Sequence, residues 1–536
     1  MKIILSQFNP TVGDIDGNML RIKEIVRKNS SIVDIIVFPE MCVTGYPPQD
    51  LLFYNNFIHK AIDATLEIAQ AAINVVVILG NIRLDSDGFL YNSGLVLQNQ
   101  SIIGYQDKSL LPSYDIFDEK RYFNHAMVIE PIVVKINDEK ISIGVQICED
   151  LWDKEYPVKV SEELHDKGAN IIINISASPF HLDKLKERID IIRHQTSKIE
   201  IPFFYCNLIG GQDEIIFDGQ SLGFDNDGQI IAMGKSFEED LVFIDTNNMA
   251  AFKFEISSKE SQLYCALKLG VRDYFKKTGH NLAVLGLSGG IDSALTATIA
   301  ADALGSQNVI GVSLPSKYSS NHSKEDAQLL ANNLNIQYEE LSIASLNSIV
   351  LETLTPFFSN TQENIAEENI QARIRGLLLM AIANKKNALL LNTGNKTESA
   401  IGYCTLYGDM CGALAVISDL NKDEVYSVAK WFNTKCKTEI IPVNSIEKEP
   451  SAELKENQID PFDYKIISPL INSIITSNKN PIELSDMGYD TILSSSMINK
   501  VRNAEYKRRQ SPPGIRVSKK AFGNGRRFPI VNKYRD

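Results

Sequence analysis

The stretch Gly286-Leu-Ser-Gly-Gly-Ile-Asp-Ser293 combines the residue types needed to hold a phosphate chain. Gly289 and Gly290 let phosphate oxygens approach the backbone, and Ser288 and Ser293 add hydroxyl donors. The apolar run 282–287 before it reads as a buried strand, and Ile291–Leu304 after it as a helix closed by Gly305. A strand, a glycine-rich turn and a helix aim free backbone N–H groups and a helix dipole at an anion. The stretch lacks the Gly-Lys-Ser/Thr ending of a Walker A loop, whose lysine grips the β/γ-phosphates. Asp292 stands there instead, and a carboxylate beside phosphates calls for Mg²⁺ between them. The expected chemistry is therefore ATP bound with a metal, with pyrophosphate as the leaving part.

A second set of candidates stands where apolar runs end. Glu40 follows Ile35-Ile-Val-Phe-Pro, Lys108 follows Ile102-Ile-Gly-Tyr-Gln-Asp, and Cys148 follows Ile143-Gly-Val-Gln-Ile. Strand ends suit chemistry because a rigid sheet fixes the side chain while the loop stays open to ligand. A cysteine attacks an amide as its thiolate. No histidine lies near these stretches in the sequence, so a carboxylate is the candidate base and a lysine the candidate stabiliser of thiolate and oxyanion. Taken singly, each has a plainer reading, as a small buried thiol or a solvated charge.

The elements that must position these residues differ between the two halves. Over 1–246, short apolar runs at 3–8, 32–38, 75–79, 94–97, 141–147, 171–175 and 203–206 predict strands, and 18–28 and 57–72 predict helices. Asp85-Ser-Asp-Gly88 and Asp225-Asn-Asp-Gly228 are hairpin signals. Gly228 to Ser236 imitates a Walker A loop but places five residues between its glycines, where the loop needs four, so it reads as a hairpin arm. Residues 247–259 lack periodicity and read as a linker. From 260 to 536, regular β–α alternation, with strands at 282–287, 309–314 and 388–392, predicts an open parallel sheet.

The whole chain narrows the classes. Its 536 residues suggest two to four domains, and 44% apolar and 23% charged residues fit a globular protein. A net charge of −13 argues against a general nucleic-acid binder. Seven scattered cysteines without a Cys-x-x-Cys pair fit a reducing cytoplasm. No signal peptide and no membrane span is apparent, so no membrane partner is expected.

With their flanks, the candidates of the first half are specific. Phe38-Pro-Glu-Met, the stretch Lys108-Ser-Leu-Leu-Pro-Ser-Tyr114 with its continuation to Arg121, and Ile147-Cys-Glu-Asp-Leu-Trp resemble the signature regions of the nitrilase (carbon–nitrogen hydrolase) superfamily. The resemblance implies a four-layer α-β-β-α sandwich with Glu40 as general base, Cys148 as nucleophile and Lys108 as the cation facing the tetrahedral intermediate. It further implies that Tyr114, Ser178 and Lys184 hold glutamine, that Glu119 supports the lysine, and that Glu149 meets the glutamine amine. Gly286–Ser293 resembles the pyrophosphatase loop of the adenine-nucleotide α-hydrolase-like ATPases.

Three further stretches join the two halves in one reaction: Glu368-Asn369-Ile-Gln-Ala-Arg373-Ile-Arg375, Leu391-Asn-Thr393-Gly-Asn-Lys-Thr-Glu398, and the C-terminal run holding Lys507. With them, the chain resembles the bacterial glutamine-dependent NAD⁺ synthetases over essentially its full length. The reaction implied consumes deamido-NAD⁺, ATP, glutamine and water and yields NAD⁺, AMP, pyrophosphate and glutamate. On this resemblance Gly286, Leu287, Ser288, Gly289, Gly290, Ile291, Asp292, Ser293, Thr393, Lys422 and Ser451 meet ATP. Asn369, Arg373, Glu398 and Lys507 meet deamido-NAD⁺, and Asp292 and Glu398 ligate Mg²⁺. Alternatives are another pyrophosphatase-loop amidotransferase or a tRNA-adenylating enzyme. From Lys500 onward, twelve Lys/Arg stand against two acids, a run expected to fold over the synthetase site with its cations facing phosphates. A cytoplasmic homo-oligomer without nucleic-acid partners is expected.

Overall fold

The computed structural model describes residues 1–456 and 458–534. The chain divides into two compact units after Ile256, inside the stretch read as a linker.

The first unit holds fourteen strands: β1 (Lys2–Gln7), β2 (Ile35–Val37), β3 (Val76–Leu84), β4 (Leu90–Gln98), β5 (Ser101–Asp107), β6 (Ile132–Ile136), β7 (Glu139–Ile147), β8 (Ile171–Ser176), β9 (Phe203–Asn207), β10 (Ile209–Gln212), β11 (Ile215–Asp218), β12 (Leu222–Phe224), β13 (Ile230–Met233) and β14 (Asp240–Asp245). Its α-helices are α1 (Ile15–Asn29), α2 (Asn55–Ala69), α3 (Val160–Asp166) and α4 (Lys184–Ile199). Two six-stranded sheets form, in the orders β14-β1-β2-β3-β4-β5 and β13-β12-β9-β8-β7-β6.

Alternation along the strands sorts their side chains into three apolar layers. Ile3, Leu5, Ile35, Val37 and Ile78 of one sheet pack against Val145, Ile147, Ile173 and Phe204 of the other. The opposite faces carry Ile4, Ile36 and Val77 against Met19, Ile22 and Ile68 of α1 and α2. Likewise, Ile172, Phe203 and Tyr205 meet Leu164, Ile189 and Ile192 of α3 and α4. Both sheets are covered on both faces, which gives the expected four layers and explains why their strands read as continuous apolar runs.

The Walker-like stretch contains β13, paired antiparallel with β12. Its turn is built by Asp225, whose Oδ1 accepts from the Asp227 and Gln229 N–H groups. The expected strand at 32–38 contracts to Ile35–Val37, because the Ile32 N–H donates to the Asn29 carbonyl in the turn that ends α1.

The second unit is built on β15 (Ala283–Gly286), β16 (Val309–Ser313), β17 (Gln337–Glu340), β18 (Leu389–Asn392) and β19 (Leu414–Ala415). They are interleaved with α5 (Lys259–Thr278), α6 (Ile291–Leu304), α7 (Asn321–Leu334), α8 (Ala344–Phe358), α9 (Ile365–Lys386), α10 (Lys396–Ile401) and α11 (Lys422–Cys436). The sheet order is β17-β16-β15-β18-β19, and every pairing is parallel. The strand order reverses between β15 and β18, which opens a crevice at their carboxyl ends, the place where such sheets bind ligands. α6 buries small and apolar residues on all sides, among them Ala294, Leu295, Ala297, Ile299 and Ala300, which holds the start of the helix rigidly at that crevice. Among the described residues, no helix is long and apolar enough to cross a membrane.

At Gly94 the two sheets of the first unit pack tightly: a Cβ there would lie 2.7 Å from Val145 Cγ1 and 3.3 Å from Ile175 Cδ1. Gly94→Ala is expected to overpack this layer at a cost of about 1–3 kcal/mol. A lower urea midpoint for unfolding of the first unit checks it, and an unchanged midpoint would show that the sheets separate freely.

Candidate active sites

Four strand ends converge in the first unit, two from each sheet. Glu40 lies three residues past β2, Lys108 directly follows β5, Cys148 directly follows β7, and Ala177 directly follows β8. Lys108 Nζ donates to Glu40 Oε1 and to Glu119 Oε1, each at 2.8 Å. Lys108 is 1% exposed and Glu40 0%. Glu40 is fixed further by Asn92 Nδ2 on Oε1 (2.7 Å) and by the Ala177 N–H on Oε2 (2.8 Å). Its loop packs tightly on β3, where a Cβ on Gly80 would lie 2.4 Å from the Met41 nitrogen. Cys148 sits at φ 44, a left-handed conformation uncommon for a residue with a side chain and one that costs backbone strain.

The electrostatics follow from burial. Burial, together with the charge of Glu40, pushes the Cys148 thiol up against the pull of Lys108, so the thiol rests protonated. Burial works against the charge on Lys108 as well, but Glu119 and Glu40 hold it protonated, above the ordinary lysine range. Burial raises Glu119, whose Oε2 is buried without a hydrogen-bond partner while Oε1 also accepts from Tyr46 (2.8 Å).

The residues expected around glutamine gather beside this cluster. Glu149 accepts from the Tyr114 hydroxyl at 3.1 and 3.0 Å and from Tyr156 at 3.1 Å. Lys184 Nζ lies 3.8 Å from the centre of the Trp152 ring, and burial with the nearby charge of Arg188 lowers its pKa to about 8. Ser178 is held by Arg188, whose Nη2 donates to the Ser178 carbonyl (2.9 Å) and whose Nε donates to its Oγ (3.3 Å). Arg188 is itself fully buried and paired with Asp218 at 2.8 Å.

Several residues that the structure brings to this cluster carried no recognised signal. Asn92 is a polar residue in the fully buried part of β4, a placement that calls for a buried partner. Asp150 follows Cys148 by two residues and is fully buried. Its Oδ1 accepts from the Ser109 and Leu110 N–H groups (3.0 and 2.8 Å), and its Oδ2 from that of Ile147 (3.0 Å). One carboxylate thereby ties the chain beside Lys108 to the chain beside Cys148, across the two sheets. Burial pushes Asp150 up to about 7. His125, distant in sequence, comes within 2.8 Å of the Ser109 carbonyl, so its Nδ1 is engaged by backbone.

In the second unit a cavity of about 400 Å³ opens at the carboxyl ends of β15, β16 and β18. Gly286, Leu287, Ser288, Gly290, Ile291, Asp292 and Ser293 line it, together with Thr393, Glu398, Lys422, Ser451, Asn369 and Lys507. Gly289 is not in the lining. It takes φ +76, and a Cβ there would lie 2.2 Å from the Ser323 carbonyl oxygen, so its glycine serves the packing of the turn. The turn is braced by Ser293 Oγ, which donates to the Gly290 carbonyl at 2.9 Å.

Lys422 joins two of the acids that line this cavity: its Nζ donates to Asp292 Oδ2 and to Glu398 Oε1 (3.0 Å). Asn395 Nδ2 donates to the other Asp292 oxygen at 3.1 Å. Burial opposes the charge on Lys422, yet the two carboxylates hold it protonated, and burial pushes Glu398 up to about 7. Asn369 Oδ1 accepts from Thr405 (2.8 Å), and Ser451 Oγ donates to the Gln458 carbonyl (2.5 Å). Lys507 Nζ donates to the Gly402 and Cys404 carbonyls at 2.7 and 2.6 Å. Arg373 is exposed and outside the lining, with Nε on the Leu406 carbonyl (3.2 Å), whereas Arg375 is in the lining.

The basic C-terminal run is folded, but its cations mostly serve the protein itself. Arg508, Arg509 and Arg526 converge on Glu505, and Arg516 binds the Ser518 and Lys519 carbonyls. Of the eleven cations among its described residues, only Lys507 lines the cavity. Arg535 and Asp536 lie outside the described residues.

Residues 2–252 match the carbon–nitrogen hydrolase family and residues 263–511 the NAD synthase family. The chain is thus a ligase of the amidotransferase kind, with a nitrilase-like unit and a synthetase unit in one polypeptide. It is 38% identical to the glutamine-dependent NAD(+) synthetase of Thermotoga maritima, over 100% of this chain and 99% of that protein. It is equally 38% identical to that of Synechocystis sp., over 99% of each. The solved structure of glutamine-dependent NAD+ synthetase from Acinetobacter baumannii, in complex with adenosine diphosphate, matches with a TM-score of 0.80 at 34% identity, over 99% of this chain and 98% of that one. The chain belongs to the glutamine-dependent NAD(+) synthetases, and ATP is a substrate of its reaction.

Asp150→Asn replaces one acceptor oxygen by a donor that faces backbone N–H groups. The variant is expected to lose about 10- to 100-fold in glutamine-driven synthesis through misplacement of the Cys148 and Lys108 loops, with ammonium-driven synthesis kept. Parallel steady-state rates with the two nitrogen sources check it; an equal loss with both would mean a general loss of folding.

Proposed function

We propose that the chain converts deamido-NAD⁺, ATP, glutamine and water into NAD⁺, AMP, pyrophosphate and glutamate, with the chemistry divided between the two clusters described above. The observation that carries this reading is the presence on one chain of the buried Glu40–Lys108–Glu119 cluster beside Cys148 and of a switch-point crevice with Asp292 and Glu398.

In the first unit, Glu40 takes the proton of the Cys148 thiol as sulfur attacks the glutamine amide carbon. Lys108 stabilises the negative oxygen that forms. Glu40 then returns the proton to the departing nitrogen, which leaves as NH₃, and a thioester remains on Cys148. Water, deprotonated by Glu40, hydrolyses it to glutamate. Tyr114, Ser178 and Lys184 orient the substrate, with Lys184 facing its α-carboxylate and Glu149 its α-amine. The raised thiol of the resting site fits a nucleophile that ionises only when its base is engaged.

In the second unit the nicotinate carboxylate of deamido-NAD⁺ attacks the α-phosphorus of ATP and pyrophosphate leaves. NH₃ then attacks the acyl carbon of the adenylate and AMP leaves. The backbone N–H groups and hydroxyls of Gly286 to Ser293, with Thr393, Lys422 and Ser451, hold ATP. Asn369, Arg373, Glu398 and Lys507 hold the dinucleotide. Asp292 and Glu398, two carboxylates on the cavity wall joined through Lys422, have the hard oxygen donors that suit Mg²⁺ and would hold it. Mg²⁺, when bound, offsets the charge of the leaving pyrophosphate.

On this reading the enzyme works in the cytoplasm as a homo-oligomer on small molecules, without nucleic-acid or membrane partners. Support for an oligomer comes from Ile349, Phe357 and Leu377, which are exposed on α8 and α9.

Cys148→Ala should abolish glutamine-driven synthesis and leave synthesis from ammonium salts intact, with a rate that climbs with pH as NH₄⁺ gives up its proton. NAD⁺ formation with each nitrogen source checks it; glutamine-driven synthesis retained by the variant would remove Cys148 as nucleophile. The Lys184 assignment has a pH signature. With its pKa lowered to about 8, the ammonium form that binds a carboxylate is lost above that pH. KM for glutamine should therefore rise up to about tenfold per pH unit between about pH 8 and about pH 9.5. A glutamine KM that stays flat over that range would place Lys184 away from the substrate carboxylate.

A further inference from the structure

Among the described residues, five cations line the cavity of the second unit: Lys324, Arg375, Lys422, Lys448 and Lys507. Lys422 is committed to two carboxylates, Lys507 to two carbonyls, and Lys448 to the Ser323 hydroxyl. Arg375 differs. Its Nε donates to the Leu314 carbonyl at 2.9 Å, just past the end of β16, which pins the guanidinium plane to the edge of the sheet. Among the described residues no carboxylate lies within ion-pair distance of it. The two acids whose charges act on it are committed elsewhere: Glu453 accepts from Ser320 and Ser323, and Asp409 from the Thr405 N–H. Burial lowers Arg375 to about 10, the mark of a cation held without a close counter-charge.

A largely buried guanidinium with unspent Nη donors is costly unless an anion completes it. Arginine keeps its charge at any working pH and presents a planar fork that matches phosphate oxygens. We infer that Arg375 is a substrate-binding residue of the adenylation site, its Nη donors taking the phosphate oxygens of a bound nucleotide. The inference rests on the reading of this cavity as the adenylation site. Phosphate oxygens occur in both nucleotide substrates, ATP and the dinucleotide, and the experiment separates them.

The full-length protein is tested as wild type, Arg375→Gln and Arg375→Lys, with calorimetric titrations of ADP, deamido-NAD⁺ and adenosine. Arg375→Gln is expected to weaken one of the two phosphorylated ligands by about 10-fold or more, as loss of a charged hydrogen bond does, while adenosine binding stays within about twofold. Arg375→Lys, which keeps the charge but not the fork, should fall between. The phosphorylated ligand that weakens identifies the substrate held. Unchanged affinity for both ADP and deamido-NAD⁺, or an equal loss for adenosine and ADP, would overturn the assignment. A measurement on the wild type covers the case in which the variants fail to fold. Phenylglyoxal labelling of Arg375, read by peptide mass spectrometry, should be slowed by ADP or by deamido-NAD⁺ but not by adenosine. Labelling unaffected by either nucleotide contradicts the proposal. Failure of the wild type to bind any nucleotide would instead overturn the reading of the cavity itself.

Discussion

The buried ammonium of Lys108 between Glu40 and Glu119 is the interaction on which the first unit depends. Withdrawing three charges from water costs several kcal/mol per ion, and the pairs recover it only with close geometry and further hydrogen bonds. The fold supplies both. Glu40 reaches the lysine from the end of β2, Asn92 reaches Glu40 from β4, and the Ala177 N–H reaches it from the end of β8. Asp150 then fastens the two loops that carry Lys108 and Cys148. The layered sandwich matters to the chemistry because two sheets, packed within contact distance at Gly94, bring strand ends of different sheets to one point.

The second unit solves a different problem with a single sheet. Its crevice carries backbone N–H groups, hydroxyls and cations that suit phosphate oxygens, alongside carboxylates that include the pair Asp292 and Glu398. The Lys422 bridge between Asp292 and Glu398 keeps those acids together at the switch point. The turn before α6 divides its glycines between two duties. Gly289 allows close packing on α7 through the Ser323 carbonyl, while Gly290 bares the chain toward the cavity.

Much of this was legible in the sequence where local chemistry and local structure coincide. The glycine-rich turn, the helix closed by Gly305, the Asp225 hairpin and the three strand-end residues all declare themselves within a few positions. What escaped depends on contacts distant in sequence. Strand β17, Gln-Tyr-Glu-Glu, is polar because it lies at a sheet edge, and β19 is two residues long. Asn92 and Asp150 gain their meaning from partners 52 and about 40 positions away. Arg373 and Arg375 are alike in sequence, and only the phase of α9 puts the second on the cavity wall. The basic C-terminal run was legible as charge but not as structure, since its arginines are spent on Glu505 and on backbone carbonyls.

The central claim is that two chemistries on one chain move one nitrogen from glutamine to a nucleotide acid at the cost of an α–β phosphate bond. The direct measurement incubates the full-length protein with amide-¹⁵N-labelled glutamine, deamido-NAD⁺, ATP and Mg²⁺, and quantifies every product by mass spectrometry. The account predicts NAD⁺, AMP, pyrophosphate and glutamate in equal amounts, when hydrolysis of glutamine is matched to synthesis, with ¹⁵N in the carboxamide of NAD⁺. ADP and inorganic phosphate in place of AMP and pyrophosphate, or NAD⁺ without the label, would contradict it.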